Sequence, residues 1–485
     1  MNPKKLARLI YPEFRFGKTP PDYALKLVEA GVGGFCLYGG TVSEVRETVR
    51  ALRAASAAPL IFASDYENGV GHWLKEATEL PVNMAIGASG SGALARRKAE
   101  ITALESRALG VDWIFAPVAD LAYLPANPIV NVRSFGGSHA LATRLAGAYL
   151  SGINSKNALS CLKHFPGHGG TETDSHLALP TVAKSREEME LDDLRPYREL
   201  SGHADSVMVG HLNVPSLDPE NVSSLSKKII TGLLREELNY RGCVITDALN
   251  MKAISEDGSS GVKALLAGAD ILLFPEDPFK LHHDLLRAFA DGSITEEMVD
   301  RAIEKQEAML SKLSRLAPPP PEVVHCAAHR AFAAEAAPQC LAWGYGEGEF
   351  ILKAGESVGY FEPLTAQKDW KGRFFVEELG RLGVRVSPYE EGKTKRTVAA
   401  SFSRPRAYSG SINLAGGEKQ ALESVIKRSS AAALVAFGSP FVLGGLENKP
   451  SAGLCAFCAL EDFQKAAARA LTGNLKAKGV MPVRV

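Results

Sequence analysis

The choice between two α/β folds is made at the start of the chain, by Ala7-Arg8-Leu9-Ile10-Tyr11-Pro12-Glu13-Phe14. Residues 7–11 are an apolar run that predicts the first β-strand. An open doubly wound sheet would continue from its first strand into a glycine-rich phosphate-binding turn. This run leads instead into Pro12-Glu13-Phe14, so the sequence favours a barrel over an open sheet.

Seven further apolar runs follow the first, each leading through a polar or glycine-rich turn to a helical pattern, for example at 94–109 and 227–238. The runs are almost continuously apolar, as expected of parallel strands that are covered on both faces. Eight such units predict a (β/α)8 barrel of the TIM type. The predicted strands are 7–11, 33–38, 60–64, 113–118, 159–164, 206–211, 243–246 and 271–274.

A run of prolines divides the chain. Ala317-Pro318-Pro319-Pro320-Pro321 is extended and stiff, and it follows an amphipathic helix predicted at 296–316. We predict a barrel domain at 1–317, a proline-rich linker at 318–322 and a smaller α/β sandwich domain at 323–485. The second domain is expected to have helices at 323–337, 375–382, 419–427 and 462–471, strands at 357–361, 384–387, 397–401 and 432–437, and a loop at 403–417.

Composition and charge narrow the classes of function. The 485 residues carry 55 Lys and Arg against 55 Asp and Glu, so the chain lacks the basic field that recognition of nucleic acid requires. Neither a signal-length nor a membrane-length apolar stretch is present, and the seven scattered cysteines predict buried free thiols. We expect a cytoplasmic protein that binds neither nucleic acid nor membranes and acts on a small neutral substrate. Its oligomeric state stays open.

The densest group of titratable side chains lies at 163–176, directly after the fifth predicted strand. Pro166 and three glycines prevent a helix there, which predicts a loop over the barrel mouth. Asp174 and His176 are two residues apart, so the carboxylate can hydrogen-bond one imidazole nitrogen and leave the other free for proton transfer. This pair is a candidate catalytic dyad.

A metal site is the alternative interpretation of this loop. It would use His164, His168, Asp174 and His176 as ligands. Histidines four residues apart normally chelate from one helix face, and Pro166 removes that helix. We therefore expect no metal and no other cofactor.

Other polar residues follow the predicted strands, among them Asp65-Tyr66-Glu67, Asp120 and Asp247. Such side chains collect at the carboxyl end of a barrel, where active sites lie. Asp247 could simply cap the following helix. A carboxylate nucleophile with a separate proton donor is, however, what retaining glycoside hydrolysis requires.

These residues resemble the family 3 glycoside hydrolases, specifically their β-N-acetylglucosaminidase branch. The matches run in order from Leu9 to about Ile254. They comprise Gly33-Gly34-Phe35 with Tyr38-Gly39-Gly40, Asp65-x-Glu67-x-Gly69-Val70-Gly71, Phe115-Ala116-Pro117-Val118-Ala119-Asp120, Arg133-Ser134-Phe135-Gly136, the segment 163–180, and Ile245-Thr246-Asp247-Ala248-Leu249-x-Met251.

The resemblance implies roles for the matched residues. Asp247 would be the nucleophile that forms a glycosyl-enzyme, and His176, polarised by Asp174, the general acid/base. Related β-glucosidases usually take the acid/base from a glutamate of the second domain, so the dyad favours an N-acetylglucosaminide. The implied activity is a retaining exo-β-N-acetylglucosaminidase acting on a small glycoside or on muropeptides in cell-wall recycling. The residues implied to contact sugar hydroxyls are Asp65, Arg133, Lys163 and His164.

The chain departs from the family pattern near the sugar site. Trp73 stands where the family commonly has an arginine, and Asn68 where glycine or arginine is usual. An aromatic ring can stack on an apolar sugar face, so we expect Trp73 to retune the subsite. Two alternative functions stay open: phosphorolysis, since a histidine acid/base lets an anionic phosphate approach, and non-catalytic sugar binding.

Overall fold

The computed structural model describes residues 2–174, 177–254, 259–403, 414 and 416–485. Parallel strands connected by helices run through both parts of the chain, which confirms the predicted α/β class. The strands of the N-terminal part are Ile10–Tyr11 (β1), Glu13–Arg15 (β2), Gly34–Tyr38 (β3), Ile61–Ser64 (β4), Trp113–Ile114 (β5), Cys161–Phe165 (β6), Ser206–Val209 (β7), Cys243–Thr246 (β8) and Leu272–Leu273 (β9).

Helices connect these strands and cover them. A π-helix, Lys228–Glu237, occupies the position of the helix predicted at 227–238. The α-helices are Pro3–Ala7 (α1), Pro21–Ala30 (α2), Val42–Ala55 (α3), Asn83–Ser89 (α4), Gly92–Ala108 (α5), His139–Ser155 (α6), Arg186–Leu191 (α7), Arg195–Leu200 (α8), Ser260–Ala267 (α9), Pro278–Ala290 (α10) and Glu296–Leu313 (α11).

The N-terminal strands pair in parallel. β2, β3, β4 and β5 form one sheet in that order, β6, β7 and β8 form a second, and β1 pairs with β9. Parallel bridges also join Trp113 to Leu159, next to β6, and Ile245 of β8 to Ile271, next to β9. The carboxyl ends of neighbouring strands therefore lie along a common edge.

Side chains from successive strands meet in one buried cluster. Trp113 of β5 is fully buried in it. The Trp113 ring stands edge-on to Tyr11 with 5.8 Å between the ring centroids, and its Nε1 donates to Ser206 Oγ at 3.1 Å. Strands from distant parts of the sequence are thus tied together below the edge that carries the polar side chains.

Several predicted strands are shorter than expected. The run 243–246 forms a strand over its full length, whereas 113–118 does so only at Trp113–Ile114, because Pro117 has no N–H to donate to a neighbouring strand. The prediction for 7–11 is wrong at its start. Asn2 caps a helix there by accepting a hydrogen bond from Lys4 N at 3.0 Å, and Pro3 suits the first helical position.

The C-terminal part has one six-stranded sheet. Its order is β10-β15-β14-β13-β11-β12, and it is parallel except for β10. Strands β10 and β15, of four residues each, were not among the predicted strands. The elements are Ala327–Cys340 (α12), Ala342–Tyr345 (β10), Ser357–Phe361 (β11), Arg373–Arg381 (α13), Arg385–Pro388 (β12), Arg396–Ser401 (β13), Gly416–Arg428 (α14), Ala431–Ala436 (β14), Ala452–Cys455 (β15) and Glu461–Leu471 (α15).

The structure also bears on the predictions for the cysteines, the loop at 403–417 and membrane-spanning segments. The cysteines are free, and all but Cys326 are buried, as expected. Most of the loop predicted at 403–417 lies outside the described residues, and the domain limits at 317 and 322 stay a prediction. Within the described part of the chain, no helix is both long and apolar enough to cross a bilayer.

Candidate active site

Polar side chains from distant parts of the sequence meet at the carboxyl ends of the N-terminal strands. Asp65 directly follows β4, Lys163 and His164 lie within β6, and Arg133 comes from the 3-10 turn Asn131–Arg133. The sequence that leads to Asp65 and to Lys163 is apolar, so these strands are buried while their last side chains reach the edge of the sheet.

A network of ion pairs joins four of these side chains. Lys163 Nζ lies 2.6 Å from Asp65 Oδ1 and 2.7 Å from Glu67 Oε1. Arg133 donates two hydrogen bonds to the Glu67 carboxylate, from Nε to Oε2 at 3.0 Å and from Nη2 to Oε1 at 2.8 Å. The Lys163 side chain is only 1% exposed and that of Glu67 9%, whereas that of Asp65 is 31% exposed. Asp65 therefore presents a carboxylate that a sugar can reach.

The ion pairs hold Glu67 and Lys163 in their charged forms. Burial alone would raise the pKa of Glu67, but the charges of Arg133 and Lys163 outweigh it and keep that pKa well below its usual value. Burial likewise lowers the pKa of Lys163, and the charges of Asp65 and Glu67 raise it further than burial lowers it. Glu67 is thus held ionised and Lys163 protonated at neutral pH.

His164 joins the network through Arg133 and is oriented by Asp120. Its Nδ1 lies 2.7 Å from Asp120 Oδ2, and its Nε2 lies 3.5 Å from Arg133 Nη2. Asp120 also accepts the backbone N–H of His168 at 2.7 Å. Burial raises the pKa of Asp120, but its interactions with His164 and with the backbone N–H of His168 lower that pKa overall. The ionised carboxylate fixes the imidazole with Nδ1–H towards Asp120.

The predicted nucleophile, Asp247, follows β8 directly and is half-buried. Its backbone N–H donates to Val209 O at 3.0 Å, and its Oδ1 accepts the N–H of Ala248 at 2.8 Å. The carboxylate is therefore held at the end of the strand by the N–H of the next residue.

One half of the predicted dyad is described. Asp174 is buried, and its backbone carbonyl accepts the N–H groups of Leu177 and Ala178 at 2.9 and 3.1 Å. His176 and Ser175 lie outside the described residues, so the Asp174–His176 pairing stays a prediction.

The loop before Asp174 is held by buried polar contacts. Asn127 Nδ2 donates to the carbonyl oxygens of His168 and Gly169 at 2.8 and 3.1 Å. His168 Nδ1 lies 2.7 Å from Thr171 Oγ1, and burial lowers the pKa of His168 to about 4. His168 is therefore uncharged at neutral pH and fixes the loop rather than acting as a cationic donor.

Trp73 lies against the wall of the site beside Asp65. Its Nε1 donates to the Asp65 carbonyl oxygen at 3.1 Å, and its ring meets Tyr38 edge-on with 4.8 Å between centroids. The Tyr38 hydroxyl in turn donates to Asp65 Oδ2 at 2.5 Å. The guanidinium of Arg15 lies 5.8 Å from the Trp73 ring centroid. The tryptophan thus forms an aromatic wall beside Asp65, with the Arg15 guanidinium nearby.

Glu67, Asp120 and Tyr38 also lie in this site, although no role is predicted for them from the sequence. Their position in the sequence could have indicated them, since all three lie at or just after predicted strand ends. His211, which ends the sixth predicted strand, lies with its Nδ1 2.6 Å from Ser224 Oγ and with its Nε2 3.0 Å from the Ala248 carbonyl oxygen. Among the described residues, no group of three or more His, Cys, Asp or Glu side chains is arranged to hold a metal ion.

Replacement of Glu67 by glutamine is expected to weaken both substrate binding and folding. Two cations, one of them fully buried, would then face Asp65 alone, and removing one partner of a buried pair costs about 3 kcal/mol. Urea unfolding and the KM of the variant test this. Glu100→Gln, which breaks the exposed Arg96–Glu100 pair at 2.9 Å, is the control and should cost less than about 0.5 kcal/mol. Equal effects of the two substitutions would contradict the prediction.

Behind the site, a fully buried lysine joins two of its walls. Lys98 Nζ donates to Asn83 Oδ1 at 2.6 Å and lies 3.4 Å from Asn68 Oδ1. Asn83 Nδ2 in turn donates to the Arg133 carbonyl oxygen at 2.8 Å. Burial lowers the pKa of Lys98 from its usual value to about 7, with the charge of Glu67 opposing that shift. Asn68, the second of the two sequence differences noted near the sugar site, thus lies next to the buried amine of Lys98.

Lys98→Met is expected to change how stability depends on pH. Between about pH 7 and 10 the unfolded chain holds the Lys98 proton and the folded chain releases it, so the free energy of unfolding rises with pH by up to about 1.4 kcal/mol per unit. The methionine variant lacks this rise. From pH 7 to 9 the wild type should therefore gain about 2 kcal/mol relative to Lys98→Met in urea unfolding. Lys75→Met, at an exposed position, is the control, and parallel wild-type and Lys98→Met profiles would contradict the prediction.

Comparison with known proteins identifies the class to which this fold and site belong. Residues 3–307 match the glycosyl hydrolase family 3 N-terminal domain, which is more than half of the chain. The chain therefore belongs to glycoside hydrolase family 3.

Two named relatives and one solved structure are similar to this chain. β-Hexosaminidase A of Pseudoalteromonas piscicida is 31% identical over 333 residues, covering 62% of this chain and 56% of that protein. The β-hexosaminidase of Pseudomonas aeruginosa is 35% identical over 254 residues, covering 51% of this chain and 76% of that protein. The family 3 β-N-acetylglucosaminidase structure from Paenibacillus sp. str. FPU-7 aligns with a TM-score of 0.85 at 27% identity, covering 100% of this chain and 98% of that one. The match to the first relative thus spans little more than half of that protein's length.

Proposed function

We propose that the chain is a retaining exo-β-N-acetylglucosaminidase that removes terminal β-linked N-acetylglucosamine. The observation that carries the proposal is the buried network of Asp65, Glu67, Lys163 and Arg133 at the strand ends where Asp247 is also held. Charged donors and an exposed acceptor suit a neutral sugar, because charge-assisted hydrogen bonds to hydroxyls are strong and directional. The names of the relatives support the choice of N-acetylglucosamine.

The proposed reaction has two steps. First, a carboxylate oxygen of Asp247 bonds to the anomeric carbon while the glycosidic C–O bond breaks, and His176 gives its proton to the departing oxygen. Water then attacks the anomeric carbon, His176 takes the proton of that water, and the bond to Asp247 breaks. A histidine suits this task, because the imidazolium supplies the proton in the first step and the neutral imidazole that remains accepts one in the second, so neither form adds a second negative charge to that of Asp247. Asp174 would orient the imidazole.

We also propose that the N-terminal strands close into a (β/α)8 barrel within residues 1–317 and that residues 323–485 form a separate sandwich domain. The bridge between Trp113 and Leu159, the bridge between Ile245 and Ile271 and the pairing of β1 with β9 support closure. The cellular context that we propose is cytoplasmic recycling of cell-wall muropeptides, which present N-acetylglucosamine to an exo-acting enzyme.

Hydrolysis of 4-nitrophenyl β-N-acetylglucosaminide tests the proposed function. We expect a kcat/KM at least about 10-fold above that for the β-glucoside, since a site built around specific polar contacts rejects a substrate that lacks them. Free N-acetylglucosamine should be the product with and without phosphate. A sugar 1-phosphate in the presence of phosphate would instead indicate a phosphorylase, and calorimetric binding of N-acetylglucosamine without turnover would indicate a sugar-binding protein.

A further inference from the structure

The turn that carries Arg133 is contacted by the C-terminal part of the chain. Asn131 Nδ2 donates to Ser439 Oγ at 3.1 Å, although 308 positions separate the two residues. Both are almost fully buried, at 1% and 2% exposure. Ser439 follows strand β14, and its own N–H donates to Ser403 O at 2.6 Å. The hydroxyl is therefore held by the C-terminal sheet when it meets the turn.

Asn131 has an unusual backbone conformation, so a contact with its side chain can affect the position of the residues that follow it. Its φ is +35°, in the left-handed region that asparagine tolerates better than most residues. Its Oδ1 is buried without a hydrogen-bond partner, so the side chain is anchored through Nδ2. Two residues later, Arg133 makes its two hydrogen bonds to Glu67. A change in the backbone at Asn131 would tilt the plane of that guanidinium.

The same segment has a second contact with the C-terminal part. Gly137 N–H donates to Pro482 O at 3.0 Å. From the N-terminal part, Asn83 Nδ2 donates to the Arg133 carbonyl at 2.8 Å. The segment 131–137 is therefore held on one side by the elements that carry the site, through Asn83. On the other side the C-terminal part contacts it at Asn131, before Arg133, and at Gly137, after Arg133.

We propose that the C-terminal part of the chain completes the sugar subsite by positioning Arg133, with Ser439 and Asn131 as the positioning residues. This inference rests on the proposed function, because Arg133 is taken to bind a sugar hydroxyl. A bidentate guanidinium is sensitive to small rotations, since both of its N–H groups must align with the same carboxylate. Ser439 therefore acts on substrate binding through Asn131 and Arg133, without touching the sugar or moving a proton.

The alternative is that the Asn131–Ser439 hydrogen bond only packs two parts of the chain together. In that case its loss lowers the melting temperature and leaves KM unchanged in the folded enzyme. A positioning role instead raises KM and the Kd for N-acetylglucosamine, with a smaller effect on kcat. The two roles are separated by measuring KM and kcat together.

The test compares four variants of the full-length chain with the wild type. They are Ser439→Ala, Asn131→Gly, the double variant, and Glu335→Ala as the control. Glycine at 131 keeps the left-handed backbone accessible, and Glu335 pairs with Arg97 at 3.4 Å in another contact between the two parts. We expect each single variant to raise KM for the aryl β-N-acetylglucosaminide about 10-fold, the size of one lost hydrogen bond. The double variant should exceed neither single variant by more than about twofold, because both remove the same interaction.

Calorimetric Kd values for N-acetylglucosamine are measured in the same five proteins and need no turnover. An unchanged KM and Kd in Ser439→Ala, beside an active wild type, would overturn the positioning role alone. So would a Glu335→Ala variant with an equally raised KM. A wild type that binds the sugar without hydrolysing it would overturn the proposed function, while a raised Kd in the variants would still support the positioning role. Absence of both binding and hydrolysis would overturn both.

Discussion

Asp247→Asn is expected to lower kcat for aryl β-N-acetylglucosaminides by on the order of 10⁴-fold or more. The amide cannot form the glycosyl-enzyme and offers no negative charge to the developing oxocarbenium ion. Binding should change little, because the sugar is held by the separate network around Lys163 and Arg133. Steady-state kinetics and calorimetry with N-acetylglucosamine measure the two effects side by side.

A chemical rescue separates loss of the nucleophile from loss of structure. In Asp247→Gly, azide can occupy the space of the missing carboxylate and attack the anomeric carbon, giving an α-glycosyl azide. Asp291→Asn, at the exposed C-terminal end of α10, is the control and should keep the wild-type rate. An Asp247→Asn variant with more than a tenth of the wild-type kcat would show that the nucleophile lies elsewhere.

His176→Ala is expected to have an effect that depends on the leaving group. General acid catalysis contributes about 10²- to 10⁴-fold, and it matters most when the departing oxygen is strongly basic. Alkyl glycosides should therefore lose close to the full factor. A nitrophenyl glycoside needs little acid help in the first step, but its second step still lacks a base. Stopped-flow kinetics should then show a burst of nitrophenol followed by slow turnover.

His203→Ala provides the control, because His203 is exposed and lies before β7. Azide should restore turnover of the nitrophenyl glycoside in His176→Ala, since an anion needs no general base. A uniform loss across leaving groups, without a burst, would contradict the acid/base role of His176.

The strands at the centre of the fold could be predicted from apolar runs, but their limits could not. The limits of Cys243–Thr246 were predicted to the residue, because an arginine and glycine precede the run and Asp247 ends it. At the start of the chain, the cap at Asn2 and the proline at Pro3 made a helix of residues that look like part of a strand. Local capping thus outweighed apolar periodicity there.

The site shows the same division between what is local and what is not. The position of Asp65, Lys163 and His164 at strand ends could be predicted, because each directly follows or ends an apolar run. Glu67 and Asp120 follow predicted strands in the same way. Only the structure shows that Glu67 pairs with Arg133 and Asp120 with His164. A partner separated by tens of residues leaves no mark on the local pattern.

Lys98 was beyond prediction for a related reason. The helix predicted at 94–109 contains several charged residues, and nothing in its spacing distinguishes the one that is fully buried. Its burial depends on Asn68, Asn83 and the packing of α5 against its neighbours. The contact between Asn131 and Ser439 is a still longer-range case, since it joins the two parts of the chain.

The most direct test of the account is to trap the glycosyl-enzyme and locate it by peptide mass spectrometry. A slowly hydrolysed fluorinated N-acetylglucosaminyl fluoride should add one sugar to the wild type, on the peptide that contains Asp247, and nothing to Asp247→Asn. The first sugar released from a nitrophenyl substrate should then be the β-anomer. A label on another residue, or an unlabelled enzyme that releases the α-anomer, would contradict the proposed nucleophile and the retaining mechanism.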